Sequence, residues 1–136
     1  MHEEGHSDIV DVAAAIIEKE GKILIAKRRA KQKFESKWEF PGGKIEKGET
    51  PEECLVRELK EELDLHIRVL RCFSVRTHIL SPERKLRLHT YIAEYIDGIP
   101  TLKEHEDVRW VSKEELLSFN FYEPDLLVVK DLLQIQ

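Results

Sequence analysis

The chain has 136 residues, of which 41% are hydrophobic and 36% are charged, and its formal net charge is −5 at pH 7. This length suits one domain with a sizeable core. The negative charge argues against a nucleic-acid-binding surface, and no apolar run reaches the roughly 18 residues of a transmembrane helix. Residues 1–8 are polar and lack the apolar segment of a secretory signal. We therefore expect a flexible N-terminus at 1–8 and a single domain at 9–136.

Apolar and β-branched patterns predict strands mixed with helices along the chain, which is typical of an α/β fold. The predicted strands are 9–17, 22–27, 66–78, 86–95 and 108–111. The predicted helices are 51–63, 113–119 and 124–133. Cys54 and Cys72 lie inside predicted elements, so we expect two buried, free thiols in a reducing cytoplasm.

The helix predicted over 51–63 has the clearest start signals in the chain. Thr50 is a good N-cap, Pro51 suits the first helical position, and Glu53 completes a capping box. At 3.6 residues per turn, one side of this helix is an apolar stripe formed by Leu55, Val56, Leu59 and Leu63. This stripe should pack against the core.

Three acids of the same helix, Glu58, Glu61 and Glu62, lie beside the apolar stripe instead of opposite it. They share an arc of roughly 80–100°, so their carboxylates should lie at the edge of the core. One interpretation is a solvated acidic face. The other is a metal site, because clustered carboxylates attract a cation and hard divalent ions such as Mg²⁺ or Mn²⁺ prefer oxygen ligands.

The segment from Gly43 to Leu65 also resembles a known motif. Gly43, Glu49 and the run RELKEELDL that begins at Arg57 match the Nudix box, GX5EX7REUXEEXGU, at every fixed position but one. Asp64 stands where the family usually has Gly at the helix end, often in left-handed conformation. Asp tolerates that conformation at a cost of about 1 kcal/mol. The resemblance implies an α/β Nudix fold, a mixed β-sheet in an α-β-α sandwich, and hydrolysis of a nucleoside diphosphate linked to another group.

The resemblance also implies the residues of a metal site. Mg²⁺ or Mn²⁺ would be held by Glu58, Glu61, Glu62 and the carbonyl of Gly42. The acceptor of a proton from the attacking water would be Glu61, Glu62 or Glu104. Glu104 is similar in position to a metal-binding Glu in the acidic loop of MutT-type enzymes, and its other interpretation is a solvated loop.

Further roles follow from the same resemblance. Glu49 and Arg57 match the box residues that orient the loop and the helix, through an ion pair. Arg28 follows a predicted strand directly, so we expect it to contact phosphate or base. Lys27 and Lys44 are the other candidates for phosphate contact.

The likeness to MutT-like enzymes covers about Val12 to Leu133 and implies a nucleoside triphosphate cleaved to monophosphate and pyrophosphate. Asp125 matches a position at which an Asn or Asp reads the base edge, although it is also a candidate N-cap of the last helix. An ionised Asp only accepts hydrogen bonds, so 8-oxo-dGTP and (d)CTP or its 5-modified analogues remain nearly level, with a slight preference for 8-oxo-dGTP.

Other functions stay open from the sequence. The group linked to the nucleotide could instead belong to a dinucleotide, an ADP-ribose or an RNA end, and a non-catalytic nucleotide sensor is the alternative from another class. Sensors usually lose box carboxylates, and this chain keeps them. We expect a cytoplasmic enzyme, monomeric or homodimeric, without nucleic-acid or membrane partners.

Overall fold

The computed structural model describes residues 8–29 and 37–134. The flexible N-terminus predicted at 1–8 lies outside these residues except for Asp8, which begins the first strand. The strands are β1 (Asp8–Lys19), β2 (Lys22–Arg28), β3 (Trp38–Glu39), β4 (Gly42–Lys44), β5 (His66–Ser81), β6 (Arg84–Asp97) and β7 (His105–Ser112). The helices are α1 (Pro51–Leu63), a 3₁₀ helix (Lys113–Ser118) and α2 (Glu123–Leu133).

In the part of the chain that the structure describes, seven strands form one mixed sheet. Its main path runs β3-β2-β1-β6-β5, with β4 paired to β1 and β7 paired to β2. The central strand β1 is parallel to β6 but antiparallel to β2 and β4. The long strand β5 lies at one edge of this path and pairs with β6 as an antiparallel hairpin.

Alternation along β1 explains the layering, because successive side chains of a strand point to opposite faces. Ala13, Ala15 and Ile17 pack with the helix α1 on one face. Ala14 and Ile16 pack with α2 on the other. The predicted α-β-α sandwich with a mixed sheet is therefore confirmed. Neither α1 nor α2 is long and apolar enough to cross a membrane, and this holds for every helix among the described residues.

The helix α1 begins and ends as predicted. Thr50 accepts a hydrogen bond from the backbone N–H of Glu53, and Glu53 returns one by accepting from the N–H of Thr50. Asp64 has φ of 57° and lies in the left-handed region, where its N–H donates to the carbonyls of Leu59 and Lys60. The family's glycine position thus keeps its backbone conformation with an Asp in place.

Four sequence predictions about elements and burial need correction. Val56 is 44% exposed, because the buried side of α1 is centred one residue earlier, on Cys54 and Leu55. Cys72 lies exposed on the edge strand β5, so only one of the two free thiols is buried. The helix predicted at 113–119 is a 3₁₀ helix. The strand predicted at 108–111 already begins at His105.

We predict that Leu59→Ala lowers the free energy of unfolding by about 3 kcal/mol, because Leu59 is 1% exposed and the change leaves a cavity between α1 and the sheet. Val56→Ala removes two methyl groups from the same helix and should cost under about 1 kcal/mol, because the side chain is half-exposed. Urea unfolding measures both. Equal losses would contradict the assignment of the buried face of α1.

Candidate active site

Gly42 packs too closely on the backbone of β1 for any larger residue, and Gly43 packs on the carboxyl group of Glu58. In β4, Gly42 pairs with Ala14 and Gly43 with Ala13. A Cβ atom on Gly42 would lie 1.9 Å from the carbonyl oxygen of Ala13, and one on Gly43 would lie 2.4 Å from Cδ of Glu58. The two glycines therefore bring the strand β4 against β1 and allow the carboxyl group of Glu58 to lie directly on the backbone of Gly43.

Arg57 holds the loop and the acidic side of α1 together. Its guanidinium donates to both carboxylate oxygens of Glu49, at 2.5 and 3.0 Å, and to Glu58 and Glu61 at 3.0 and 3.1 Å. The hydrogen bonds from Arg57, followed by one from the backbone of Glu46, lower the pKa of Glu49 to about 2. The paired geometry that the box motif implied for Glu49 and Arg57 is present, and Arg57 also reaches two of the predicted metal ligands.

The three predicted carboxylate ligands have different surroundings. Glu58 and Glu62 are half-buried and interact with each other, and burial followed by contact with Glu58 raises the pKa of Glu62 to about 8. The side chain of Glu61 is 61% exposed and contacts Arg57. Among residues 8–29 and 37–134, no group of three or more His, Cys, Asp or Glu side chains is arranged to hold a metal ion.

Beside this pair lies a network that the sequence analysis missed. The Nε of Arg28 lies 2.8 Å from Oε2 of Glu39, and Nε2 of His105 lies 3.2 Å from the same oxygen. His105 is fully buried, and its Nδ1 has no hydrogen-bond partner among the described residues. The pairing of β2 with β7 shifts register between Lys27 and Arg28, and this shift places Arg28 opposite His105.

A cleft opens between this network and the start of α2. Its floor is formed by apolar residues of the central strands, including Val12, Ala14 and Leu88. Arg28, Glu39, Gly42 and Gly43 form its charged end, and Tyr122, Pro124 and Asp125 also line it. The cleft therefore brings this charged end, next to the carboxylates of α1, close to one buried carboxyl group, on which Glu39 and Arg28 act electrostatically.

Asp125 is that buried carboxyl group. It is 5% exposed, and its Oδ2 accepts a hydrogen bond of 2.9 Å from the backbone N–H of Phe40. Burial raises the pKa of Asp125 to about 8, against the lowering effect of the Phe40 hydrogen bond. The residue at the N-cap position of α2 is Tyr122, so the interpretation of Asp125 as an N-cap is wrong. At neutral pH its carboxyl group is mainly neutral, and it can then donate as well as accept a hydrogen bond.

The remaining predicted residues are not part of the cleft lining. Lys27 pairs with Glu106 at 3.5 Å. Lys44 is exposed at the end of β4, and Glu104 is exposed immediately before β7. The neighbouring Lys103 donates to the carbonyl of Glu61 at 3.3 Å and to Oδ1 of Asp64 at 3.0 Å, and these bonds tie the Glu104 segment to the end of α1.

We predict that Asp125→Asn gains stability relative to the wild type as the pH rises from 5 to 8. The folded-state pKa of Asp125 is raised from 3.8 to about 8, so in this range the folded protein binds more protons than the unfolded chain. The wild-type free energy of unfolding should therefore fall by about 1–3 kcal/mol more than that of the variant. Urea unfolding at several pH values measures this, with Glu123→Gln, an exposed acid of the same helix, as the control. Parallel curves for all three proteins would contradict it.

Comparison with known proteins identifies the family. The model of the NUDIX domain matches residues 8–132. The chain is 34% identical over 128 residues to the CTP pyrophosphohydrolase of Escherichia coli strain K12, covering 94% of each protein. It is 38% identical over 104 residues to the 8-oxo-dGTP diphosphatase of the same strain, covering 76% of this chain and 80% of that one.

Comparison of the fold with solved structures also finds similar proteins. The solution structure of the E. coli ORF135 protein has a TM-score of 0.81 and 33% sequence identity, over 95% of this chain and 91% of that one. These matches span the sheet, both α-helices and the cleft. The chain belongs to the Nudix family of hydrolases.

Proposed function

We propose that this chain is a Mg²⁺- or Mn²⁺-dependent, MutT-like nucleoside triphosphate pyrophosphohydrolase. It would hydrolyse a modified deoxynucleotide such as 8-oxo-dGTP to the monophosphate and pyrophosphate. The observation that carries the proposal is one cleft lined by Arg28, by Gly43, against which the carboxyl group of Glu58 lies, and by the buried carboxyl group of Asp125. Phosphates and base would then bind in the same cleft.

The carboxylate and carbonyl oxygens near the charged end are donors of the kind that a hard divalent cation prefers. Burial and the contact between Glu58 and Glu62 raise the pKa of Glu62 to about 8, so added positive charge there would relieve unfavourable electrostatics. We propose as ligands the carboxylates of Glu58, Glu61, Glu62 and Glu104 and the carbonyl of Gly42. Glu61 would exchange its contact with Arg57 for the ion. The ion would neutralise the polyphosphate and lower the pKa of the attacking water.

Side chains of the protein would position the metal ligands and accept the proton from the attacking water. The bidentate Arg57–Glu49 pair holds the loop against α1 and keeps Glu58 in position. The proton acceptor would be Glu61, Glu62 or Glu104. The bonds from Lys103 to the end of α1 support Glu104 for this role, because they hold its segment beside the helix that carries the other two.

Substrate phosphates need basic partners. Arg28 lines the charged end of the cleft, which supports its contact with a phosphate or with the base. Lys44 is exposed beside β4 and is free of the constraint that Glu106 imposes on Lys27. We therefore rank Arg28 and Lys44 before Lys27 as phosphate ligands.

The second candidate substrate is (d)CTP or a 5-modified pyrimidine triphosphate. The relative named CTP pyrophosphohydrolase matches 94% of both proteins, and the raised pKa of Asp125 adds a chemical reason. A neutral carboxyl group can donate to N3 of cytosine while it accepts from the N4 amino group. It can equally donate to O6 of guanine while it accepts from N1–H, so the two substrates have to be separated by assay.

Either substrate is consistent with a role in cleaning the nucleotide pool. We propose the cytoplasm as its location, because Cys54 and Cys72 are both free and free thiols are typical of reducing compartments.

We predict that Glu62→Gln lowers pyrophosphate release from both candidate substrates by at least about a hundredfold in Mg²⁺. Glu61→Gln should also lower it, because the lost oxygen charge weakens metal binding. Glu52→Gln, an exposed acid of the same helix, makes the same change in net charge and should retain activity. Because burial already raises the pKa of Glu62 to about 8, the site should accept an uncharged Gln, and the melting temperature of Glu62→Gln should not fall. Equal pyrophosphate release by the wild type, Glu61→Gln and Glu62→Gln would refute the site. No release by the wild type would favour the non-catalytic alternative.

We predict that Asp125→Ala reduces kcat/KM for the preferred nucleotide by about 10- to 100-fold, because it removes a buried hydrogen-bonding partner of the base. A panel of 8-oxo-dGTP, dGTP, CTP, dCTP and dTTP, assayed with the wild type, identifies that nucleotide. Glu123→Ala, two residues away and exposed, should leave the order of preference unchanged. If Asp125→Ala lowers all five values by the same factor, Asp125 does not read the base.

A further inference from the structure

One carboxylate oxygen connects Arg28 to the interior of the protein. Oε2 of Glu39 lies 2.8 Å from Nε of Arg28 and 3.2 Å from Nε2 of His105. The three residues come from β2, β3 and β7, and the strand pairing places Arg28 opposite His105. Because the contact with Glu39 uses Nε, the terminal nitrogens of the guanidinium remain as donors for another partner.

The three side chains differ in how freely they can move. Arg28 is the last residue of β2, and half of its side-chain surface is exposed. The side chain of Glu39 is 13% exposed, and His105 is fully buried. A half-exposed arginine at the end of a strand has many accessible rotamers, whereas a buried imidazole ring has few. Glu39 therefore links a side chain that can move to one that cannot.

The hydrogen-bonding chemistry of His105 supports its role as the anchor. A carboxylate only accepts hydrogen bonds, so we assign the ring proton to Nε2, which donates to Glu39. The other ring nitrogen, Nδ1, is buried without a partner in the described part of the chain. An unpaired buried nitrogen is unfavourable, and an apolar side chain would avoid it. The bond to Glu39 gives a physical reason for a histidine at this place.

The position of Glu39 in β3 also puts it beside the cleft. Glu39 and Phe40 both line the cleft, and the backbone N–H of Phe40 donates to Oδ2 of Asp125 at 2.9 Å. Two adjacent residues thus hold two polar side chains of the cleft lining. The side chain of Glu39 holds Arg28, and the backbone of Phe40 holds Asp125.

We propose that Glu39 is a positioning residue: anchored by the buried His105, its carboxylate fixes the guanidinium of Arg28 in the cleft, with the terminal nitrogens directed to an anionic group of the substrate. This inference rests on the proposed function, in which Arg28 contacts a phosphate. Pre-orientation lowers the entropy that Arg28 loses when the anion binds. Glu39 thus favours anion binding although it is itself negatively charged.

The test is a double-mutant cycle on inorganic pyrophosphate binding in saturating Mg²⁺, with the wild type, Glu39→Gln, Arg28→Gln and the variant that carries both changes. We expect Glu39→Gln to bind pyrophosphate at least about threefold more weakly than the wild type. Loss of a negative charge alone would strengthen anion binding, so this result is the opposite of a net-charge effect. Pyrophosphate has no base, so contacts of Asp125 with a base do not enter the measurement.

The cycle shows whether Glu39 acts through Arg28. In the Arg28→Gln background, Glu39→Gln should change pyrophosphate affinity by less than about 1.5-fold, because the group that it positions is already absent. The same non-additivity should appear in kcat/KM for the preferred triphosphate. Glu52→Gln removes an exposed acid outside the cleft and should not weaken pyrophosphate binding.

Two substitutions of His105 test the anchor. The amide nitrogen of Gln can take the place of Nε2, whereas Asn is one methylene shorter and its amide overlays Nδ1. We therefore expect His105→Gln to keep pyrophosphate affinity within about twofold of the wild type, and His105→Asn to weaken it by about the same factor as Glu39→Gln. Melting temperatures identify any variant that fails to fold, and the Glu39 and Arg28 cycle does not depend on this pair.

Several results would overturn the inference. Unchanged or tighter pyrophosphate binding by Glu39→Gln would show that Glu39 does not position an anion ligand. Additive effects of Glu39→Gln and Arg28→Gln would mean that Glu39 acts on the ligand by another route. If the wild type does not bind pyrophosphate, or Arg28→Gln binds it equally well, Arg28 contacts no phosphate. Equal behaviour of His105→Gln and His105→Asn would remove His105 as the anchor. The proposed function fails separately, if the wild type releases no pyrophosphate from any nucleotide.

Discussion

Repulsion between carboxylates is the constraint on which the rest of the site depends. Glu58 and Glu62 lie half-buried against each other at the edge of the core, where burial favours their neutral forms. The fold tolerates this because two arginines approach from different sides. Arg57 comes from the same helix and ties Glu58 to the loop through Glu49, while Arg28 comes from β2. The repulsion between the carboxyl groups of Glu58 and Glu62 is therefore only partly neutralised, and the divalent cation that we propose would relieve it.

Local sequence was sufficient to predict α1 and its surroundings. The cap formed by Thr50 and Glu53 and the helix end at Asp64 depend on neighbouring residues. Such signals act over one or two turns, so they can be read without knowledge of the fold. The Arg57–Glu49 pair and the layers of the sandwich were implied by the resemblance to the Nudix family, and the structure accounts for the layers by alternation in β1, which sends apolar side chains to both faces.

What the sequence did not reveal depends on contacts between distant segments. Glu39 and His105 are 66 positions apart and meet only because β2 pairs with both β3 and β7. His105 lies in an acidic segment that looks like a solvated loop, although it is the first residue of a strand and is fully buried. Asp125 likewise meets Phe40, 85 positions away, through a hydrogen bond, and its raised pKa follows from burial within the fold, which no local pattern reports.

The departure from the family motif at Asp64 links the helix end to the proposed chemistry. Glycine would adopt the left-handed conformation there without strain, whereas Asp does so at a cost of about 1 kcal/mol. The Asp side chain in turn accepts a hydrogen bond from Lys103, whose ammonium group also caps the carbonyl of Glu61. The hydrogen bond from Lys103 lowers the pKa of Asp64. A glycine could not make this contact. Asp in place of Gly at position 64 therefore costs some backbone strain. In return, its side chain attaches the segment that carries Glu104 to the end of α1, the helix whose carboxylates we propose to bind the metal.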